Sequence, residues 1–152
     1  MQTEIRRYAH GDRDAIAALL RGQGWAERYV AGQLDAAGRL SESAHGATFV
    51  CTTDGTLAGF VSVEIHSWNQ LAQLQGLAVH PDWLRRGVGT QLVEAAEGLV
   101  RDRGCRGIYL DTPVDNHGAR DFYIAQGFTE DYRMTRYYSD TLDGVTYVKF
   151  FA

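Results

Sequence analysis

Two hydrophobic periods, one helical and one of two residues, take turns along this chain. Residues 5–8 make a short strand candidate. Ala15, Ile16, Leu19 and Leu20 then share one helical face behind Asp12, a residue type suited to an N-cap. A second helix is predicted over residues 26–40, with Tyr29, Val30 and Leu34 inward, before a loop at 41–46. Residues 48–52 and 57–65 are rich in β-branched and aromatic side chains, and Asp54-Gly55 between them is a hairpin turn signal. A polar turn at 67–70 leads into a strand at 71–79. Gly76 interrupts that strand and predicts a bulge or the close approach of another group. After a loop at 80–86, Leu92, Ala95, Ala96 and Leu99 mark a helix over 90–103, with Gly104 suited to its C-terminal cap. A strand at 107–111, a short helix at 117–126 stopped by Gly127, and two strands at 132–138 and 145–151 complete the chain. The last two are expected to meet at a turn of Leu142-Asp143-Gly144.

This order, with no repeat and no linker, predicts one α/β (α+β) domain over residues 1–152: a single mixed sheet of six to seven strands with helices packed on it. The strand–helix–strand unit from 71 to 111 is expected to be parallel and right-handed.

Composition narrows the function. The net charge of −4 argues against nucleic-acid binding, which leaves a basic footprint. No apolar run approaches the roughly 20 residues that span a bilayer, and the first residues lack the features of a signal peptide. The expected location is the cytoplasm, without a membrane or nucleic-acid partner. Cys51 and Cys105 make neither a disulfide framework nor a zinc site. The five histidines show no close ligand pair, so no metal is expected.

The sharpest local feature is Leu77-Ala78-Val79, a loop, and then Arg86-Gly87-Val88-Gly89-Thr90 opening a helix. A helix start presents unpaired N–H groups and partial positive charge, and glycines let an anion approach the backbone. A phosphate or pyrophosphate is the expected guest. Thr90 stands where a Walker motif needs lysine, and the third glycine of a dinucleotide fingerprint is missing.

The segment from Leu77 through Leu92 resembles motif A of the GNAT superfamily of N-acetyltransferases, written Q/R-x-x-G-x-G/A after a bulged strand. Asn116-His117-Gly118-Ala119-Arg120-Asp121-Phe122-Tyr123 with Gly127-Phe128 is similar to the family's N-x-x-A-x-x-F-Y-x-x-x-G-F segment. The resemblance implies a mostly antiparallel sheet with a bulge at the cofactor strand, acetyl-CoA as acetyl donor, and a homodimer. It implies that Leu77, Ala78 and Val79 flank the pantetheine arm, that Arg85, Arg86, Gly87, Val88, Gly89 and Thr90 hold the pyrophosphate, and that Asn116 bonds the cofactor arm. Tyr123 matches the family's usual general acid. Leu84 departs from the motif's Gln or Arg, and Gln73 and Gln75 stand where many relatives carry a glutamate base.

Attack by an ammonium substrate requires its deprotonation. Asp111, ending the strand beside the cofactor strand, is the first candidate base. The ribosomal-protein alanine N-acetyltransferases of the family carry a carboxylate at similar spacing, and their end is similar to Arg136-Tyr137-Tyr138 with Asp143-Gly144. Glu64 is the second candidate, and His66 is a candidate relay. Trp25, Tyr29, Trp68, Tyr132, Tyr137 and Tyr138, with Glu27, Glu64, Asp111 and Asp140, are the pool from which an amine pocket is drawn. Three functions stay open: acetylation of a small primary amine, protein N-terminal or lysine acetylation, and a non-catalytic acyl-CoA sensor. Tyr147, Val148, Phe150 and Phe151 cover a dimer contact or close the core.

Overall fold

The computed structural model describes residues 2–152. The elements run β1 (Thr3–Arg7), α1 (Arg13–Gly22), α2 (Glu27–Ser41), β2 (Gly46–Thr53), β3 (Thr56–His66), β4 (Leu71–Val79), α3 (Val88–Asp102), β5 (Gly107–Pro113), α4 (His117–Ala125), β6 (Thr129–Ser139) and β7 (Leu142–Phe150). The seven strands form one sheet in the order β1-β2-β3-β4-β5-β7-β6. Every neighbouring pair is antiparallel except β4 and β5, which run parallel around the α3 crossover.

Both faces of the central strands are covered, which explains why they read as almost continuous apolar runs. Val50, Phe60 and Ala78 point to one face, under Ile16, Leu20, Val30 and Leu34 of α1 and α2. Their neighbours Cys51 and Val61 point to the other, against Leu92, Val93, Ala96 and Val100 of α3. Asp54 and Gly55 both take positive φ, 51° and 84°, as a tight two-residue hairpin turn requires.

Two local expectations are corrected. Asp12 does not cap α1 with its side chain. Its carboxylate instead takes two 2.8 Å bonds from Arg6 and one from the Ala9 N–H, across a 3-10 turn at His10–Asp12. Leu142, Asp143 and Gly144 begin β7, and the turn falls on Asp140 and Thr141. Gly144 is needed for packing: a Cβ there would stand 2.9 Å from the ring of Tyr137. Of the four apolar residues near the end, Tyr147 is fully buried and Phe151 packs on the core, so they close the fold and only Phe150 is widely exposed.

Lys149, the sole lysine, ties three elements together. Its ammonium lies 2.8 Å from a carboxylate oxygen of Glu97 on α3 and donates to the Gln126 carbonyl at the end of α4 at 2.9 Å. Glu97 is 9 % exposed. Removing the lysine strands a buried carboxylate. Lys149→Met is therefore expected to cost about 2–3 kcal/mol in chemical denaturation, less than the roughly 3–5 kcal/mol of a fully buried pair because the lysine is partly solvated. Adding Glu97→Leu should restore most of the loss.

Candidate active site

β4 and β5 pair over only three residues each, Leu71–Gln73 against Gly107–Tyr109, and then separate. The parting coincides with a bulge. Ser62 of β3 faces Gly76 and Val63 faces Leu74, leaving Gln75 as the extra residue. Gln33 of α2 reaches down to this point, where its Nε2 donates to the Gln75 carbonyl at 3.0 Å. A Cβ on Gly76 would stand 1.8 Å from the Gln33 Oε1, so any larger residue would push the Gln33 amide from this position.

Beyond the bulge β4 still pairs with β3 through Ala78, opposite Phe60, and His80 N–H donates to the Ala58 carbonyl. Antiparallel alternation therefore turns the polar backbone groups of Leu77 and Val79 toward the gap, and those of Ala78 toward β3. The Ala78 methyl lies under α1 and α2. Gln23 Nε2, at the end of α1, donates to the Val79 carbonyl at 2.7 Å.

The turn after β4 contains a 3-10 segment at Pro81–Trp83, then Arg85 and Gly87 at φ 62° and 86°. Gly87 is the N-cap of α3 and borders open space: a Cβ there would meet nothing nearer than the Gln91 side chain, at 4.0 Å. Gly89 has a different reason: a Cβ there would press to 3.1 Å on the ring of Phe122, which packs α3 against α4. Thr90 turns its hydroxyl to Gln126 at 2.8 Å, so only its backbone faces the helix start. Arg86 lies over the ring of Trp83, 5.2 Å from its centre, and Leu84 is exposed.

The gap opens into a cleft of about 860 Å³, lined by β4, β5, the starts of α2 and α4, and the hairpin of β6 and β7. Asn116 lines the cleft and caps α4 by accepting from the Ala119 N–H at 3.2 Å, which leaves its amide nitrogen free. Tyr123 is 7 % exposed, wedged among Phe122, Phe128 and Tyr147. Burial pushes its phenol far above the ordinary range, so it holds its proton at all physiological pH. Asp111 accepts from the Thr146 hydroxyl at 2.6 Å and from the Tyr137 hydroxyl at 3.3 Å. Asp111 and Asp115 line the cleft, and among the described residues no arginine, lysine or histidine does.

The structure divides the remaining candidates. Trp25, Tyr29, Tyr137 and Tyr138 line the cleft, whereas Trp68 and Tyr132 are exposed elsewhere. Glu27 pairs with Arg21 on the surface, and Asp140 lies outside the lining. Glu64 stands behind the cleft wall, accepting from Arg39 at 3.1 Å and from Gln75 at 3.0 Å. His66 lies 4.0 Å from Glu64 and stacks on Tyr109. Gln23, Gln33 and Asp115 belong to the cleft and escaped sequence reasoning, because isolated polar residues in helix ends and turns carry no pattern.

With this geometry in place, comparison with known proteins is decisive for the family. The acetyltransferase (GNAT) family pattern matches residues 16–128. The chain belongs to the GNAT family. It is 37 % identical over 83 residues to an aminoglycoside N(6')-acetyltransferase type 1 of Klebsiella aerogenes, covering 51 % of this chain and 55 % of that protein. It is 35 % identical over 72 residues to N-alpha-acetyltransferase 30 of Schizosaccharomyces pombe, covering 47 % and 48 %. The chain thus spans about half the length of these curated relatives. The fold matches the PaiA N-acetyltransferase of Thermoplasma acidophilum, solved in complex with coenzyme A, with a TM-score of 0.80 at 20 % identity over 99 % of this chain and 100 % of that one. The GNAT match ends at Phe128, so the hairpin carrying Tyr137 and Tyr138 lies beyond it.

Burial is the main cause that raises the Tyr137 and Tyr138 phenols, and the Asp111 charge is the next. Asp111→Asn removes that charge and one hydrogen-bond acceptor. Both phenols are then expected to ionise at lower pH than in the wild type, visible as an earlier rise of phenolate absorbance in an ultraviolet pH titration.

Proposed function

We propose that this chain is an acetyl-CoA-dependent N-acetyltransferase that acts in the cytoplasm on a primary amine of a small cationic molecule. The observation that carries the reading is the cleft at the strand fork, which holds Asp111, Asp115 and a protonated Tyr123 with no cationic side chain. Such a lining attracts an ammonium ion and sets no like charge against it. The aminoglycoside acetyltransferase relative supports the small-molecule class.

The residues present fit the donor. The open left-handed Gly87, the free N–H groups at the start of α3 and the nearby Arg85 and Arg86 suit a pyrophosphate. Leu77 and the Val79 N–H offer unpaired strand-edge groups to the amides of a pantetheine arm, the Val79 carbonyl being taken by Gln23, and Asn116 offers an amide nitrogen that its cap bond leaves free. Acetyl-CoA would supply an acetyl carbon activated as a thioester. Asp111 then receives the proton that frees the amine lone pair and releases it to solvent. Tyr123 gives its phenolic proton to the departing sulfur and is reprotonated by the second proton of the nitrogen. The net change is one amide and one thiol formed, with one proton released per ammonium consumed.

A second reading, transfer to a protein N-terminus, draws support from the N-alpha-acetyltransferase relative and from the Arg136-Tyr137-Tyr138 hairpin. A homodimer is part of the proposal on family grounds, with the exposed Phe150 available for contact.

Calorimetry should show one-to-one binding of acetyl-CoA and none of ATP, and a thiol-release assay over an amine and peptide panel should then find the acceptor. Binding without transfer to any amine would leave only the sensor function, and no binding would end the cofactor assignment. Asp111→Asn is expected to lower kcat/KM about 10²-fold, and Tyr123→Phe to lower kcat by a similar factor, with acetyl-CoA affinity kept in both. Unchanged turnover in either variant removes that residue from the chemistry.

A further inference from the structure

A continuous bridge of side chains crosses the acceptor end of the cleft. It starts at Tyr29 in the first turn of α2, whose hydroxyl donates to the main-chain carbonyl of Tyr138, 109 residues away on the hairpin. The two rings meet edge to face with centres 6.4 Å apart. On its outer side the Tyr29 ring carries the Arg28 guanidinium, 4.6 Å from its centre. Tyr138 in turn meets Tyr137 edge-on at 4.9 Å, and the Tyr137 hydroxyl ends the bridge on Asp111.

The far abutment is rigid. Asp143 accepts from the Arg136 N–H at 2.8 Å and from Arg133 Nε at 3.1 Å, which holds the bulged part of β6 with Arg136 at φ 57°. The Asp143 carbonyl also accepts from the Val114 N–H, just past the end of β5. Tyr137 is seated on Gly144, where no Cβ would fit. The near abutment depends on less. α2 has no side-chain N-cap, and the Tyr29 hydroxyl is the hydrogen bond that joins its first turn to the hairpin.

We propose that Tyr29 is a specificity-determining residue, a latch whose bond to the Tyr138 carbonyl closes the acceptor mouth to polypeptides and keeps it for compact amines. This rests on the transferase reading above. An amine at the end of an extended peptide must pass between the start of α2 and the hairpin to bring its nitrogen to Asp111, and the latched bridge occupies that path. A compact amine needs only the pocket beneath it. A single neutral hydrogen bond shifts such an equilibrium modestly, so its loss should alter the open population about tenfold or less.

The test pairs two readouts on the full chain. Tyr29→Phe keeps the ring, its stacking and the Arg28 guanidinium over its face, and removes the hydroxyl with its two bonds, the one it donates to the Tyr138 carbonyl and the long 3.4 Å one it accepts from Arg28. Hydrogen exchange of residues 26–34, the start of α2, followed by mass spectrometry, should quicken several-fold in the variant, up to about tenfold. In the thiol-release assay, the ratio of kcat/KM for short peptides to kcat/KM for compact diamines should rise by a similar factor, chiefly through the KM for peptides. Tyr132→Phe, which removes an exposed hydroxyl outside the cleft, should change neither. Unchanged exchange in Tyr29→Phe overturns the latch, since the start of α2 is then held by other contacts. Faster exchange with an unchanged acceptor ratio overturns the size filter while leaving the transferase reading intact. A wild-type enzyme that already prefers peptides overturns it as well. No transfer to any acceptor by either protein overturns the transferase reading, and the filter with it.

Discussion

Strands that part after three paired residues leave a row of backbone N–H and C=O groups with no ladder to join. Such groups are costly to bury alone, so something must meet them. In this protein two of the carbonyls on the freed stretch of β4 are met by glutamines from the helices packed on the sheet, Val79 by Gln23 at the end of α1 and Gln75 by Gln33 of α2. Leu77 is left between them with its polar groups facing the opening. Most of the candidate site follows from this one geometric fact. The opening gives the donor an edge to lie against, and it exposes the end of β5, where Asp111 sits.

Around the fork each element has a separate task. α3 directs its first turn toward the end of the edge, and Gly87 makes the chain reversal possible. α4 is seated against α3 through the close contact of Gly89 and Phe122, which carries Asn116 and Tyr123 to the floor of the cleft. β7 supplies Thr146 to steady Asp111, and β6 supplies the aromatic roof. The acceptor end is thus built from parts of the chain far apart in sequence, while the donor end lies almost entirely within residues 73–90 and 116–123.

That division explains what the sequence disclosed. The donor end is local, and its glycines and flanking apolar runs are constrained by backbone geometry, so Gly76, Gly87 and Gly104 are legible as bulge, turn and cap. The sheet order follows from the periodicities. Asp111 is legible as a strand end, but its hydroxyl donors on β6 and β7 are not, because they come from 26 and 35 residues further along. Asp12 misleads because a carboxylate near a helix start is also free to serve an arginine on the previous strand. Asp143-Gly144 misleads because a glycine demanded by a neighbouring ring looks the same in sequence as one demanded by a turn. Gln33 gives no signal at all: its importance lies in what stands opposite it, across 42 residues.

The lone lysine bears on how such a protein lives beside its own reagent. On the transferase reading the chain handles a thioester that modifies free amines, yet fourteen of its fifteen basic side chains are arginines, whose guanidinium groups stay protonated and unreactive. The one primary amine on a side chain is engaged by Glu97 and the Gln126 carbonyl. Self-modification therefore finds almost no target. By the same token, amine-directed cross-linkers and fluorophores would either miss the folded protein's side chains or mark molecules whose α3, α4 and β7 have already come apart.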